Sequence, residues 1–443
     1  MYAAIVLVLA LIILKIEEWK CTSTDSSFIR DKEKTNMNKP ELLAPAGNLE
    51  KLKTAINFGA DAVYLGGSKL NLRASADNFT IEELKEGLEY AHSRGRKVHV
   101  TLNIIPHNDD LVGIEEYIAE LYEIGVDAVL IADPGIFSIA RAVAPDLEIH
   151  LSTQASNLNY KSALFWHKAG VKRIVAAREM SLEELKTMRK ELPETCDIEA
   201  FVHGAMCMGI SGKCLLSNYI TGRDSNRGTC TQPCRFKYHL YEEKEQGNYD
   251  KVNESDNGMY FMNSKDLCMI EHVPELIEAG INSLKIEGRM KSAYYVASVV
   301  KAYRQAIDKY IEDPKNYKYD PRWMKELEKP SHRPYTTGFY FDEEVRQNYE
   351  TSAYIHNYDM VGIVKDYNRE MHIATIQQRN KVYNGDFVEV LAILGENKLI
   401  KLEDMRKENG EIIESANRPQ MIFTVKCNNE LKTGDILVKS KEV

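Results

Sequence analysis

Between about residue 41 and residue 311 the chain alternates two patterns: short apolar runs rich in β-branched residues, and longer stretches of helical period. One phrase recurs: "FGADAVYLGG" from Phe58, "IGVDAVLIAD" from Ile124, "AGVKRIVAAR" from Ala169 and "AGINSLKIEG" from Ala279. In each, an amphipathic segment stops at a glycine (Gly59, Gly125, Gly170, Gly280) and a short apolar run follows. That is a helix closed by a left-handed glycine, then a buried strand. Helix starts are marked as well, because Thr80 with Glu83 and Ser181 with Glu184 have capping-box spacing. After Thr80, the residues Ile81, Leu84, Leu88 and Ala91 line one helical face.

The strands read this way are "ELLAPA", "AVYLGG", "KVHVTLN", "AVLIAD", "EIHLSTQ", "RIVAAR", "EAFVHG" and "SLKIEG". Eight strands mostly separated by helical patterns predict an α/β fold, a (β/α)8 TIM-like barrel. A doubly wound open sheet is the alternative, and the missing Gly-rich fingerprint after the first strand lowers it. The long stretch between "EAFVHG" and "SLKIEG" reads as a Cys-rich insertion at 204–268 over one end of the barrel; "MYFMNSKDL" within it could form another strand. Residues 312–350, with Pro314, Pro321, Pro330 and Pro334, read as a connector. Beyond it the pattern is all-β, with "GDFVEV" and "GDILVKS" as turn-then-strand units. A small β-barrel domain over 351–443 is expected.

Residues 1–36 form a separate problem. The apolar run from Ala3 to Leu14 is shorter than the roughly 20 residues a membrane span needs. It has neither the basic flank nor the small-residue cleavage site of a secretory signal. The composition changes abruptly at Met37, so 1–36 are expected to be a non-native or dispensable leader, with a membrane-associating leader as the alternative, and 37–311 the catalytic barrel of a cytoplasmic protein. A formal net charge of −9 argues against an extended basic nucleic-acid surface, although one groove can be positive on an acidic protein.

Four of the eight cysteines, Cys207, Cys214, Cys230 and Cys234, crowd into "CMGISGKCLLSNYITGRDSNRGTCTQPC". In a cytosolic chain stable disulfides are disfavoured. Structural zinc usually shows two close pairs, and only Cys230 with Cys234 has that spacing. An iron–sulfur cluster takes four thiolates and accepts irregular loop spacing. Spacing alone leaves iron–sulfur, zinc and no metal all open. Cys21, Cys196, Cys268 and Cys427 are scattered and read as small buried hydrophobes.

The phrases "HGAMCMGISGKCLLS", "NSKDL" and "SLKIEGRMKS", with "ELLAPAGNLEKLKTAINFGADAVYLGG" upstream, are similar to those of the collagenase-like peptidase family. The resemblance runs from about Glu41 to the end. Better-studied members of that family resemble oxygen-independent hydroxylases of tRNA, ribosomal RNA or ubiquinone precursors. With "RPYTTGFY" and the β-rich tail, the chain looks like the branch that hydroxylates the wobble uridine of tRNA to 5-hydroxyuridine. The resemblance implies prephenate as co-substrate, tRNA as partner, and an iron–sulfur cluster (4Fe-4S) on Cys207, Cys214, Cys230 and Cys234. A collagenase-like peptidase, metal- or thiol-dependent, is the rival. No HExxH or GxSxG motif supports it, though His203 beside Cys207 could mimic a thiol–base pair.

In such a barrel the chemistry sits where the strands end. The residues there are Asn103, Thr153, Gln154, Arg178, Glu179, His203, Glu287 and Arg289. His203, Arg178, Glu179 and Gln154 are the catalytic candidates. Lys265, Lys285, Glu287, Arg289 and Asn103 are the substrate-binding ones, the cations suiting a dicarboxylate such as prephenate. For RNA, the run "GRMKSAYYVASVVKAYRQAIDKY" interleaves Arg289, Lys291, Lys301, Arg304 and Lys309 with tyrosines. Its competing reading is an ordinary amphipathic barrel helix.

Overall fold

Each recurrent phrase becomes a helix, a glycine and a strand in the computed structural model, which describes residues 39–73, 77–239, 241–245, 248–251, 260, 262–341 and 347–441. The leader 1–36 lies outside the described residues. Gly59, Gly125, Gly170 and Gly280 all have positive φ, the conformation that lets a helix end and the chain turn into the next strand. Thr80–Glu83 and Ser181–Glu184 form the two capping boxes, starting helices Ile81–His92 and Leu182–Glu191. Leu84, Leu88 and Ala91 are buried on the inner face of the first of these.

The strands are β1 (Glu41–Pro45), β2 (Ala62–Leu65), β3 (Lys97–Leu102), β4 (Ala128–Ile131), β5 (Glu148–Leu151), β6 (Arg173–Val175) and β7 (Asp197–Ala205). A hairpin, β8 (Tyr241–Glu245) and β9 (Asn248–Lys251), and the short β10 (Asp266–Cys268) precede β11 (Ser283–Ile286). Strands β1 to β7 are parallel neighbours in order, and β11 pairs with both β7 and β1, closing an eight-stranded barrel. Strand β10 runs antiparallel to the upper end of β7, with Cys268 opposite His203, so "NSKDL" does hold a further strand. The pairing of β7 with β11 slips between Lys285 and Ile286, from Phe201 to His203, which places one extra residue in β7.

The interior of the barrel is charged below its mouth. Arg173 reaches Glu41 at 2.5 Å, Glu199 at 3.2 Å and Asp197 at 3.4 Å, while Lys285 pairs with Glu199 at 2.8 Å. Arg173, Glu199 and Lys285 are all buried, and His99 meets His150 edge to face beside them. Burial alone would lower Arg173, but Glu41 and Glu199 outweigh it and raise it above its ordinary value.

The connector is more structured than its prolines suggest. It carries the helix Pro321–Leu327 and β12 (Tyr335–Thr336), which pairs parallel to β10. The tail then forms a seven-stranded antiparallel sheet in the order β17-β16-β21-β13-β14-β20-β18. Its strands are β13 (Tyr358–Asn368), β14 (Ile373–Gln378), β16 (Phe387–Leu391), β17 (Lys398–Lys401), β18 (Glu403–Lys407), β20 (Ile422–Lys426) and β21 (Ile436–Ser440), with the small pair β15 (Val382–Tyr383) and β19 (Ser415–Ala416) beside it. One apolar cluster including Val364, Ile376, Val390, Phe423 and Leu437 fills its inner face. Gly385 and Gly434 turn with positive φ before β16 and β21, as the two "GD" phrases predict. Among the described residues no helix is long and apolar enough to cross a membrane.

Candidate active site at the barrel mouth

Residues just beyond the ends of parallel strands converge on the mouth, and their centre here is Glu287, one residue past β11. Arg73 Nη2 lies 3.2 Å from Glu287 Oε1, and Arg178 Nη2 lies 3.6 Å from Oε2. The Tyr64 hydroxyl donates to the Ile286 carbonyl at 3.0 Å and stands 3.4 Å from Glu287 Oε2. Burial would push the Glu287 carboxyl up; Arg73, Arg178, Arg289 and Lys285 outweigh it and hold it below its ordinary range. Lys285 belongs to the layer beneath, with its ammonium 4.4 Å from the Tyr64 ring centre and 5.4 Å from that of Phe201. Arg178 lies flat on the other side, 3.9 Å above Phe201.

Arg289 is buried in the same opening. Its Nη2 donates to Asn78 Oδ1 at 3.0 Å and its Nη1 to Thr101 Oγ1 at 3.4 Å, while Nε has no partner. Burial, which outweighs the pull of Tyr64, lowers this guanidinium to about 10, so it stays charged at neutral pH. It lodges against Gly66, where a Cβ would strike the guanidinium. The next residue, Gly67, leaves room for the Tyr117 hydroxyl in the same way. Three guanidinium groups thus face one carboxylate, and the mouth keeps an excess of positive charge. Asn103 and Gln154 stand on the neighbouring rim. Asn103 Nδ2 donates to Ser152 Oγ and Gln154 Oε1, each at 3.2 Å, and Asn103 Oδ1 is buried without a partner. Thr153 is spent on the Ala176 carbonyl.

The cysteine-bearing loop closes over this opening. Glu179 Oε1 accepts the backbone N–H of Ser211 at 2.6 Å, in the bend between Cys207 and Cys214. Ser211 sits in the left-handed region with φ of 49°. Gln154 Nε2 abuts Gly212. Asn226 grips Cys214 from both sides, accepting its N–H at 3.0 Å and donating to its carbonyl at 3.2 Å. Backbone N–H groups two residues on point at three sulfurs: Gly209 at Cys207 (3.4 Å), Leu216 at Cys214 (3.4 Å) and Gln232 at Cys230 (3.3 Å). Burial pushes the Cys234 thiol up to about 11; Arg235 opposes this, and Cys207, Cys230 and Cys214 all add to it. Among the described residues no three of His, Cys, Asp or Glu are drawn onto a common metal position. The loop adjoins the arginine group around Glu287, because Glu179, which holds Ser211, follows Arg178 in sequence.

Several expected roles move. His203 is turned out of the barrel by the extra residue in β7, into a cage of Tyr295, Tyr303 and Tyr335 with ring centres at 5.9, 5.6 and 5.4 Å. Burial lowers it to about 3 and neither ring nitrogen has a partner, so it is not paired with Cys207 as a thiol protease requires. Glu179 is taken up in anchoring Ser211. Lys265 is half-buried just before β10 and has no hydrogen bond or ion pair among the described residues. The run from Arg289 to Lys309 is not a nucleic-acid face. Tyr294, Tyr295, Tyr303 and Tyr310 are buried, Lys301 donates to the Ala392 carbonyl and Asn397, and Arg304 pairs with Asp61 and Asp308. Lys291 donates to the Ser331 carbonyl, and Lys309 lies over the Trp323 ring. Cys196, Cys268 and Cys427 are buried singly. Arg73 was missed by the sequence reading. Its only signal is its place in the loop after β2, on the mouth side.

The chain matches the model of peptidase family U32 over residues 47–350 and that of the family's C-terminal domain over 356–437. It is 43% identical to tRNA hydroxylation protein P1 of Bacillus subtilis (strain 168), over 91% of this chain and 95% of that protein. It is 37% identical to tRNA hydroxylation protein P of Escherichia coli (strain K12), over 85% of this chain and 91% of that one. With 23S rRNA 5-hydroxycytidine C2501 synthase of the same strain it shares 38% identity, over 62% of this chain and 40% of that one.

Proposed function

Since the chain belongs to peptidase family U32, we propose that it is an RNA-modifying hydroxylase acting on the wobble uridine of tRNA, with prephenate as co-substrate. One observation carries this reading: the arginine group around Glu287 adjoins the four-cysteine loop, since Glu179, next in sequence to Arg178, holds the Ser211 N–H between Cys207 and Cys214. Prephenate brings two carboxylates, and a buried mouth accepts them only where fixed cations offset them. Arg289, Arg178 and Arg73 supply those cations. Glu287 holds Arg73 and Arg178 in place, and Tyr64, which reaches Glu287, stays protonated because burial raises it well above its ordinary value.

The donor chemistry of the loop fits an iron–sulfur cluster on Cys207, Cys214, Cys230 and Cys234. All four ligands are sulfur, and three already accept an amide N–H of the kind that stabilises a thiolate. Such a cluster, when bound, supplies one-electron chemistry next to the mouth. The residues of the chain do the rest: the insertion shields the opening, Glu179 and Asn226 fix the loop, and the arginines orient the dicarboxylate. A base-modifying enzyme of this kind takes its nucleotide extruded from the RNA.

The test is mass spectrometry of tRNA nucleosides from cells lacking the protein, where 5-hydroxyuridine and its derivatives should disappear. Their persistence would defeat the reading. Protein purified without oxygen should contain iron and absorb in the visible. Replacing any one of the four cysteines by Ala should lower both, whereas Cys196→Ala should leave both unchanged.

A further inference from the structure

The basic helix that the sequence suggested for RNA is buried, which leaves an RNA enzyme in need of another grip. Residues Met206 to His239 contain five cations (Lys213, Arg223, Arg227, Arg235, Lys237) and one acid, Asp224, in a chain of net charge −9. Arg227 is paired with Asp110, and Arg235 is bonded to Asn263 and Ser264. Lys213 and Arg223 have no ion pair or side-chain hydrogen bond among the described residues, and Lys237 is exposed over the Tyr260 ring.

The same insertion exposes an unusual number of large apolar side chains. Tyr219 is 90% exposed and Leu215 73%, with Ile210, Ile220 and Phe236 open beside them. They share one rim, because the helix Leu216–Thr221 is stitched to the following segment by Ser217 and Thr221, both bonded to Thr231. Next to the rim lies a cavity of about 470 Å3, whose lining includes Gly222, Asp224, Arg227 and Thr229 from the insertion and Asn78 and Asp110 from the barrel loops. Asn78, which lines the cavity, also holds Arg289, so the cavity adjoins the mouth.

Resting on the RNA-hydroxylase reading, we propose that this rim is the RNA grip. Tyr219 and Phe236 stack on unpaired bases, Arg223, Lys213 and Lys237 meet the phosphates, and the cavity receives the extruded pyrimidine. Free cations interleaved with open aromatic rings suit a single strand, since any base offers a π-face and the backbone is uniformly anionic. A protein partner is the poorer fit, because interface cores are depleted in lysine.

The experiment is fluorescence anisotropy of the full chain with an anticodon stem-loop RNA, repeated across salt concentrations. Tyr219→Ala should weaken binding about tenfold, the loss of one stacked base. Arg223→Ala with Lys237→Ala should make the slope of log K against log salt shallower by about 1.4, two phosphate contacts on a single strand. Arg223→Lys combined with Lys237→Ala should restore half of that change, because only one cation is then missing, and matched circular dichroism should show all variants folded. If wild type binds the RNA and the variants bind with the same affinity and slope, the rim is not the grip, and the function stands. No RNA binding by wild type would remove the function and the rim together. Unchanged RNA affinity, with self-association lost on sedimentation, would make the rim a contact between copies and overturn the proposal.

Discussion

The lower barrel and its mouth hold charge in opposite ways. Below, two cations, Arg173 and Lys285, are enclosed by Glu41, Asp197 and Glu199, at distances from 2.5 to 3.4 Å. Above, Arg73 and Arg178 share Glu287 at 3.2 and 3.6 Å, and Arg289 beside them bonds only to the neutral Asn78 and Thr101. In the first network each charged group has an opposite charge within 3.4 Å, although Arg173 Nε, like Arg289 Nε, is buried without a partner. The second leaves Arg289 with no carboxylate of its own among the described residues, a partner that the proposed dicarboxylate would supply. Burial and charge are similar in both, so what distinguishes a structural layer from a binding site here is the remainder after pairing.

That contrast can be broken from below. Lys285→Met should leave Glu199 buried against Arg173 alone and destabilise the fold by about 3–5 kcal/mol, the usual cost of removing one partner of a buried pair. Chemical denaturation measures it, and adding Glu199→Gln should recover part of the loss. A Lys285→Met protein as stable as wild type would mean that the layer is no closed network.

From above, Arg289→Lys should leave the denaturation midpoint and iron content near wild type. Lysine keeps the charge but loses the planar fork. Prephenate binding should weaken about ten- to a hundredfold, or about 1.5 to 3 kcal/mol. The readout is wobble-uridine hydroxylation as prephenate is titrated at equal iron loading. Superimposable curves would take Arg289 out of the site.

A smaller effect concerns acid. Glu287 is depressed in the fold, so its stabilisation is complete above its ordinary value of 4.5 and is lost as pH falls through the folded value. Glu287→Gln should therefore flatten the acid side of the stability curve, followed by thermal midpoint from neutral pH downwards. Identical acid limbs would show that the arginines do not hold this carboxyl.

Much of this architecture was readable in advance because it is local. A glycine after a helix, a capping box before one and an apolar run of strand length each report a short-range constraint. Position at a strand end then delivered Asn103, Gln154, Arg178, Glu287 and Arg289 to the mouth. His203 does stand near the end of β7, but position at a strand end does not tell which way a side chain faces, and the slip between Lys285 and Ile286 puts it among the tyrosines. The helix Ala293–Glu312 was misread in part because the connector helix and the tail sheet cover its outward side, with Lys301 reaching Ala392 and Lys309 lying over Trp323. No pattern on one helix foretells a cover supplied from ninety residues further along. Arg73 escaped because only tertiary folding brings the loop after β2 to Glu287.

Gly66 carries a consequence of its own. The guanidinium of Arg289 occupies the space that a Cβ at this position would need, yet that group is the far end of a flexible chain and can swing away. Gly66→Ala would then evict a charge without crushing the backbone. A screen for folded protein would pass such a variant as silent, while a screen for modified RNA would score it as a loss. At this position one methyl group behaves as a charge mutation, and sequence variation there is better interpreted as electrostatics than as packing.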